Sequence, residues 1–301
     1  MSWLPWILWA AAVAGTALAM YVVLVTPHAL TTSRITLAVA DLPRTLDGYT
    51  IGVLSDIHRW PGTSLGKLKR AVAAVNAANP DAVVLLGDYA VSWKSSIPWA
   101  NAPLYRRALR SMAPVMGTLQ ARDGVFAVLG NHDHYYEAGA VERWLRDVGA
   151  RPLVNDCATV ERDGGTLVIG GVDDLLEGSV DSTGGCDGHH PNAPTVVLAH
   201  HPDSVFHLAP SRRIDLVLSG HTHGGQYVLP IVGAPITFSE VCGAKTAAGW
   251  VPNDRAPLYV SRGIGEQTPG RLNCPPEVVI VTLRGGGTGE TTGLGRAGTE
   301  D

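Results

Sequence analysis

Asp81-Ala82-Val83-Val84-Leu85-Leu86-Gly87-Asp88 is an apolar run that ends abruptly in a glycine and a carboxylate. Such a run is a buried strand, and it delivers Asp88 to the strand's carboxyl end. Four further segments follow short β-like runs in the same way: Asp56-Ile57-His58, Gly130-Asn131-His132-Asp133, Leu198-Ala199-His200 and Gly220-His221-Thr222-His223. Open α/β folds place their sites where strands end, so all five segments are expected to converge on one edge, with Asp88 as the pivot.

At 301 residues the chain is long enough for one substantial catalytic domain with appendages. Its formal charge of -4 argues against binding by sheer positive charge, so no stable nucleic-acid partner is expected. Cys157, Cys186, Cys242 and Cys274 include no Cys-x-x-Cys pair. That argues against a zinc ribbon, and scattered free thiols are expected rather than disulfides.

Residues 3–25 are almost continuously apolar and free of charge, long enough for a hydrocarbon core that needs about 20 helical residues. No Lys or Arg precedes the run, and it continues past Ala17-Leu18-Ala19. It therefore reads as a retained anchor rather than a cleaved signal peptide. Trp3, Trp6 and Trp9 suit one membrane interface. The first flanking charge, Arg34, leans toward a cytoplasmic domain but leaves the side open, because long domains cross regardless of charge. The expectation is a single-pass protein of the cell membrane. Residues 1–32 form anchor and tether, 33–284 the catalytic domain, and 285–301, rich in Gly, Thr and Glu, a disordered tail.

Strands are expected at 35–39, 50–54, 81–86, 125–129, near Leu153, and at 166–170, 195–199, 214–218, 258–260 and 278–283. Helices are expected over 63–79, over 104–119 with a bend or break at Pro114, and over 135–149. Strand, helix and strand in succession around Asp56 and Asp88 make a parallel unit.

Divalent cations accept carboxylate, imidazole and amide oxygen ligands, so the residue types at these strand ends suit a metal site. The set divides into two lobes. Asp56, His58 and His223 hold one ion, Asn131, His200 and His221 hold a second, and Asp88 bridges them. Gly220, Gly224 and Gly225 permit the backbone angles that let two imidazoles crowd one place.

The ordered set Asp56-x-His58, Gly87-Asp88, Gly130-Asn131-His132-Asp133, His200 and Gly220-His221-x-His223 resembles the calcineurin-like metallophosphoesterase superfamily. The likeness runs from about residue 50 to Pro275-Pro276-Glu277. Leu54-Ser55-Asp56-Ile57-His58, Gly220-His221-Thr222-His223-Gly224-Gly225-Gln226 and Arg271-Leu272-Asn273-Cys274-Pro275-Pro276-Glu277 look like its YkuE/YaeI-type membrane-associated phosphohydrolases. The resemblance implies an α/β fold, a two-sheet β sandwich flanked by helices, and a ligand scheme that matches the two lobes position by position. It also implies two divalent metal ions, for which Mn, Fe or Zn suits the mixed nitrogen and oxygen donors.

In such a site two ions activate water for in-line attack on a phosphoester. His132, beside Asn131, is assigned to protonating the leaving oxygen or to stabilising transition-state charge. Asp133 either orients His132 or caps the following helix. His134, His201 and His207 are expected around the site or on the surface, His189-His190 in a solvated loop, and Asp203 as the cap of a short helix.

Protein phosphatases of the superfamily carry an Asp-Arg pair shortly after Gly-Asp, where this chain has Tyr89-Ala90-Val91-Ser92. A protein substrate is therefore disfavoured. Trp93, Ile97 and Trp99 after the bridging carboxylate could meet the membrane interface or acyl chains, or could pack beneath their loop. The expected partner is a membrane-associated phosphoester or pyrophosphate, with a lipid-linked one in view. The alternatives are a phosphodiesterase or nuclease acting on soluble nucleotides, and a membrane-tethered scaffold without catalysis.

Overall fold

The computed structural model describes residues 3–59, 63–93, 102–186 and 190–286. The expectations for Ile97, Trp99, His189 and the tail from 287 onward lie outside the described residues.

Two six-stranded mixed sheets pack face to face. The first runs β1 (Thr31–Ala40), β12 (Glu277–Gly286), β2 (Thr50–Leu54), β3 (Ala82–Leu85), β4 (Val125–Ala127), β5 (Ala150–Pro152) across its width. The second runs β10 (Gly249–Val251), β11 (Leu258–Val260), β9 (Leu216–Ser219), β8 (Thr195–Leu198), β7 (Gly165–Gly171), β6 (Asp156–Arg162). Strands β2 to β5 are mutually parallel, as are β7, β8, β9 and β11. Both parallel sets end at the edge where the candidate ligands follow.

Central strands read as unbroken apolar runs because both of their faces are covered. In β2, Ile51 and Val53 point into the core between the sheets, whereas Leu54 faces the helical layer. That layer is α2 (Leu65–Ala77), α3 (Ala102–Met116), α4 (Asn131–Tyr136) and α5 (Ala138–Asp147). Helix α2 begins at Ser64, whose hydroxyl accepts the Lys67 N–H at 3.1 Å, and buries Leu68, Ala71, Val72 and Val75. Their spacing is the apolar stripe of a surface helix.

Several expectations need correction. Helix α3 is not broken at Pro114 but continues to Met116. The expected helix over 135–149 is two helices, parted at Glu137, which takes an extended conformation (φ -171°, ψ 100°). Strands β6 and β10 were not expected. Strand β6 forms a hairpin with β7 through Asp163 and Gly164, both at positive φ, the backbone that tight hairpins require.

Helix α1 (Leu4–Met20) continues through a π-helical turn and a 3-10 turn, so residues Leu4–His28 form one apolar segment of 25 residues, long enough to cross a bilayer. The π turn has a local cause. Pro27 cannot donate to the helix, and the Thr26 N–H bonds Tyr21 O, five residues back.

The expected tether is instead docked, and β1 starts within it at Thr31. Thr26 and Pro27 are buried. The Thr26 hydroxyl also donates to Arg271 O at 2.6 Å, and the Arg271 N–H donates to Val22 O at 3.0 Å. Lys67 Nζ donates to Pro27 O at 3.0 Å and pairs with Glu266 at 2.6 Å, while Arg271 Nε lies 3.5 Å from the same carboxylate oxygen.

One buried anion thus serves two buried cations, and breaking such an arrangement costs about 3–5 kcal/mol. Glu266→Ala strands two cations, whereas Lys67→Ala leaves Glu266 its arginine. Urea unfolding of the detergent-solubilised chain is expected to show the larger loss for Glu266→Ala. Equal losses would contradict the shared-anion arrangement.

Candidate metal centre

Both sheets contribute to the candidate centre from their carboxyl edges. Asp56 and His58 follow β2, Asp88 follows β3, and Asn131 and His132 open α4 after β4. His200 follows β8, and His221 and His223 follow β9. All eight residues proposed from sequence are buried, and the structure brings them together.

Asp88 stands between two sets of imidazoles. Its Oδ1 accepts the His132 N–H at 2.9 Å. Its Oδ2 lies 3.2 Å from His58 Nε2 and 3.3 Å from His200 Nε2. Asp56 divides its oxygens similarly: Oδ2 takes the Ser55 hydroxyl at 2.5 Å, and Oδ1 lies 3.5 Å from His223 Nε2 and 3.9 Å from His58 Nε2. On one side His58 Nε2 and His223 Nε2 approach to 3.1 Å. On the other, His221 Nδ1 lies 3.1 Å from Asn131 Oδ1 and 3.2 Å from His200 Nε2.

The donor chemistry fits cations. His200 Nδ1 lies 2.7 Å from Leu86 O and His223 Nδ1 lies 3.1 Å from Gly265 O. Carbonyls only accept, so each imidazole places a proton on its outer nitrogen, and in the neutral form turns the bare Nε2 inward. Buried lone pairs then face one another and two carboxylate oxygens, an arrangement that a divalent ion satisfies.

Burial and the charges within the cluster set its electrostatics. Burial pushes the Asp56 carboxyl up. Burial, reinforced by His200, holds His221 well below the usual histidine range, and burial with His58 does the same for His223. At Asp88, burial is outweighed by His200 and His132, and the carboxyl lies well below its ordinary value. His200 shows the same attraction from its other end: burial works against its proton, but Asp88 raises it well above the usual range.

His132 sits beside both lobes, its Nε2 4.0 Å from Asp88 Oδ2, and with His58 and Asp88 it makes a further buried group that could hold a metal ion. The Ser92 N–H donates to His132 Nδ1 at 3.2 Å, which leaves Nε2 to carry the proton of the neutral ring. Burial brings His132 down to about 4.

Asp133 does not orient His132. Its carboxylate accepts the N–H groups of Gly130 (2.8 Å), Asp88 (2.9 Å) and Tyr89 (3.1 Å) and the Tyr105 hydroxyl. It therefore clamps the β3 and β4 loops together from the third position of α4. Asp203 does not cap its helix, because His201 Nδ1 accepts the Asp203 N–H at 3.2 Å, whereas Asp133 does take the N–H of Gly130 at the start of α4. The Asp203 carboxylate holds residues 239–241 instead. His201 packs on His221 with ring centroids 4.2 Å apart, His134 pairs with Asp173 at 2.8 Å, and His190 and His207 are exposed.

Sequence reasoning missed Gly263-Ile264-Gly265. There the Ile264 N–H bonds Ser55 O at 3.0 Å, the Gly265 N–H bonds Asp56 O at 2.6 Å, and Gly265 O faces His223. Its signal was available: glycines shortly after the 258–260 run, the same pattern that marked the ligands. All four cysteines are buried free thiols.

The sequence pattern of the calcineurin-like phosphoesterase family matches residues 49–225. The chain is similar to the uncharacterized metallophosphoesterase YkuE of Bacillus subtilis, with 30% identity over 86% of this chain and 87% of that protein. It is 32% identical to a transmembrane protein with metallophosphoesterase domain from Danio rerio, covering 82% of this chain and 55% of that one, so it spans about half of that relative. Identity to the phosphodiesterase YaeI of Escherichia coli is 29%, over 78% of this chain and 82% of that protein.

A Cβ at position 130 would lie 2.3 Å from Asp88 Oδ1 and 2.8 Å from His200 Nδ1. Gly130→Ala is therefore expected to displace two candidate ligands and weaken metal binding roughly 10–100-fold. A chelator-competition titration reads this, and unchanged affinity would refute the placement of Asp88.

Proposed function

Since this chain belongs to the calcineurin-like phosphoesterase family of metal-dependent phosphohydrolases, we propose that it is a dinuclear hydrolase of a membrane-associated phosphoester or pyrophosphate. In this reading Asp56, His58, His223 and Asp88 hold one divalent ion, and Asp88, Asn131, His200 and His221 hold the other. The observation that carries it is the single oxygen, Asp88 Oδ2, within 3.3 Å of an imidazole from each lobe. When bound, such a pair of ions supplies a water of lowered pKa and neutralises charge on the phosphoryl oxygens, and Mn, Fe or Zn suits these donors.

Of the two roles open to His132, its contacts favour the second. A proton donor must carry hydrogen on both ring nitrogens beforehand, but Nδ1 already accepts from the Ser92 N–H. The neutral ring presents Nε2–H toward the centre, where it donates a hydrogen bond to an oxygen that gains charge in the transition state. Ser92 is then a positioning residue acting through its backbone.

Two features support a membrane-associated substrate. The candidate span ends on Arg271, whose guanidinium reaches His223 O at 3.4 Å. The Asp-Arg pair that protein phosphatases carry after Gly-Asp is replaced here by Tyr89-Ala90-Val91-Ser92, which disfavours a protein substrate. The name phosphodiesterase for YaeI keeps diesters in the substrate panel.

The full chain in detergent, reconstituted with Mn, Fe or Zn, is to be assayed on mono-, di- and pyrophosphate esters, both soluble and lipid-linked. Asp88→Asn is expected to lose both metals and turnover. His132→Ala is expected to keep two metal equivalents by elemental analysis while kcat falls about 10²–10³-fold. Metal loss from His132→Ala would refute its separation from the ligands, and exclusive activity on soluble nucleotides would refute the membrane substrate.

A further inference from the structure

The segment after the last candidate ligand leaves the centre and rises as an apolar crest. A Cβ on Gly225 would come 2.2 Å from the Ala234 Cβ, so the two arms of this segment touch beside His223. Leu229 and Gly233 then close a tight turn with reciprocal N–H to carbonyl bonds of 2.9 Å. At its tip Ile231 is 93% exposed and Val232 59%, and Ile236 and Phe238 follow at 57% and 58%. Among the described residues beyond the N-terminal apolar segment, no other stretch presents large apolar side chains so densely to solvent.

Both flanks of the crest are pinned. On one, the Val228 N–H bonds Leu272 O at 2.9 Å, Asn273 Nδ2 bonds Val228 O at 2.9 Å, and the Tyr227 hydroxyl bonds Pro269 O. The residues between those partners, Gly270 and Arg271, meet Val22 at the end of the candidate span. On the other flank, Asp203 accepts the Ser239 hydroxyl at 2.5 Å and the N–H groups of Glu240 and Val241 at 2.7 and 2.9 Å. Phe238 there is hydrogen-bonded through its backbone to His201, which packs on His221. The crest thus bridges the end of the span and the rim of the metal centre.

We propose that residues 229–238 are a second membrane contact, which inserts its apolar tip into the bilayer interface beside the span. The occupant is lipid because the crest's base is paired with the same segment that receives the span's end. Lys245, exposed in the cleft behind Leu229 and Ile231, supplies the cation that anionic headgroups meet at an interfacial apolar lip. The contact holds the mouth of the centre at headgroup level. The inference rests on residues 4–28 being a membrane span and is independent of which phosphoester is cleaved.

Its test is spectroscopic, so it does not depend on the substrate. Full-length Ile231→Cys carries an environment-sensitive fluorophore in vesicles of phosphatidylcholine and phosphatidylglycerol. The same label is placed at Val13 within the span, and at Asp254, in the turn joining β10 to β11 at the opposite edge of the second sheet. The expected result is blue-shifted emission quenched by brominated lipid at 231 and 13, and no quenching at 254. Quenching at 13 alone overturns the crest and leaves the span. Quenching at neither position overturns both. A shift at 231 that follows protein concentration and ignores brominated lipid places a second copy of the chain on the crest and overturns the bilayer contact.

Discussion

The candidate centre depends on one buried carboxylate, Asp88, held between imidazoles of both lobes. His58 and His223 turn ring nitrogens toward each other at 3.1 Å, and Asp88 aims one oxygen at both lobes. In a pocket largely closed to water, acceptors without donors are costly unless a cation lies among them. The protein's own hydrogen bonds lie on the outside of the cluster: Leu86 O and Gly265 O take the outer histidine protons, while Ser55 Oγ and the His132 N–H take the spare carboxylate oxygens. What remains faces inward, where Asp88 Oδ2 meets His58 and His200 and the His58 and His223 ring nitrogens approach each other. The two-sheet architecture exists around that fact, since each sheet alone supplies only part of the set.

The backbone carries a matching strain. Asp56, His58, Asp88, His221 and His223 all have positive φ, a region that costs a non-glycine residue roughly 1–2 kcal/mol. Five of the seven proposed ligands therefore occupy a conformation that their own sequence disfavours, and surrounding contacts must hold them there. Asp133 is the clearest of these, since one carboxylate collects N–H groups from Gly130, Asp88 and Tyr89. Burial, with Asp88 nearby, raises it to about 6. Its contribution is made by geometry, through the loops it joins.

The candidate ligand residues could be singled out in the sequence because their signal is local: an apolar run, then a glycine or a tight turn, then a carboxylate or imidazole. The parallel strands were legible for the same reason, since burial on both faces leaves a run unbroken by polar residues. Strand β6 was hidden because its alternation is flanked by Asp156 and Arg162, and β10 because three residues carry no period. The role of Asp133 was unreadable for a different reason. Its partners at 88, 89 and 105 are distant in sequence, and nothing in Asn131-His132-Asp133-His134 says which acid-base neighbour it faces. Gly263 and Gly265 were readable in principle, but they bring backbone rather than side chains.

Arg271 joins the two ends of the molecule's organisation. Its side chain is fully buried. Its guanidinium donates to Arg262 O at 2.8 Å, to Gly265 O at 2.5 Å and to Cys274 O at 3.1 Å, and its backbone N–H meets Val22 O. Gly265 O is also the acceptor facing His223 Nδ1. A rigid planar donor is suited to tying several carbonyls at once, which a lysine point charge does less well. The end of the apolar helix and the outer hydrogen bond of a candidate ligand are therefore anchored on one residue. Because Glu266 pairs with both Arg271 and Lys67, moving the helix end requires disturbing a buried ionic group. The helix end and the His223 loop are thus held as one unit.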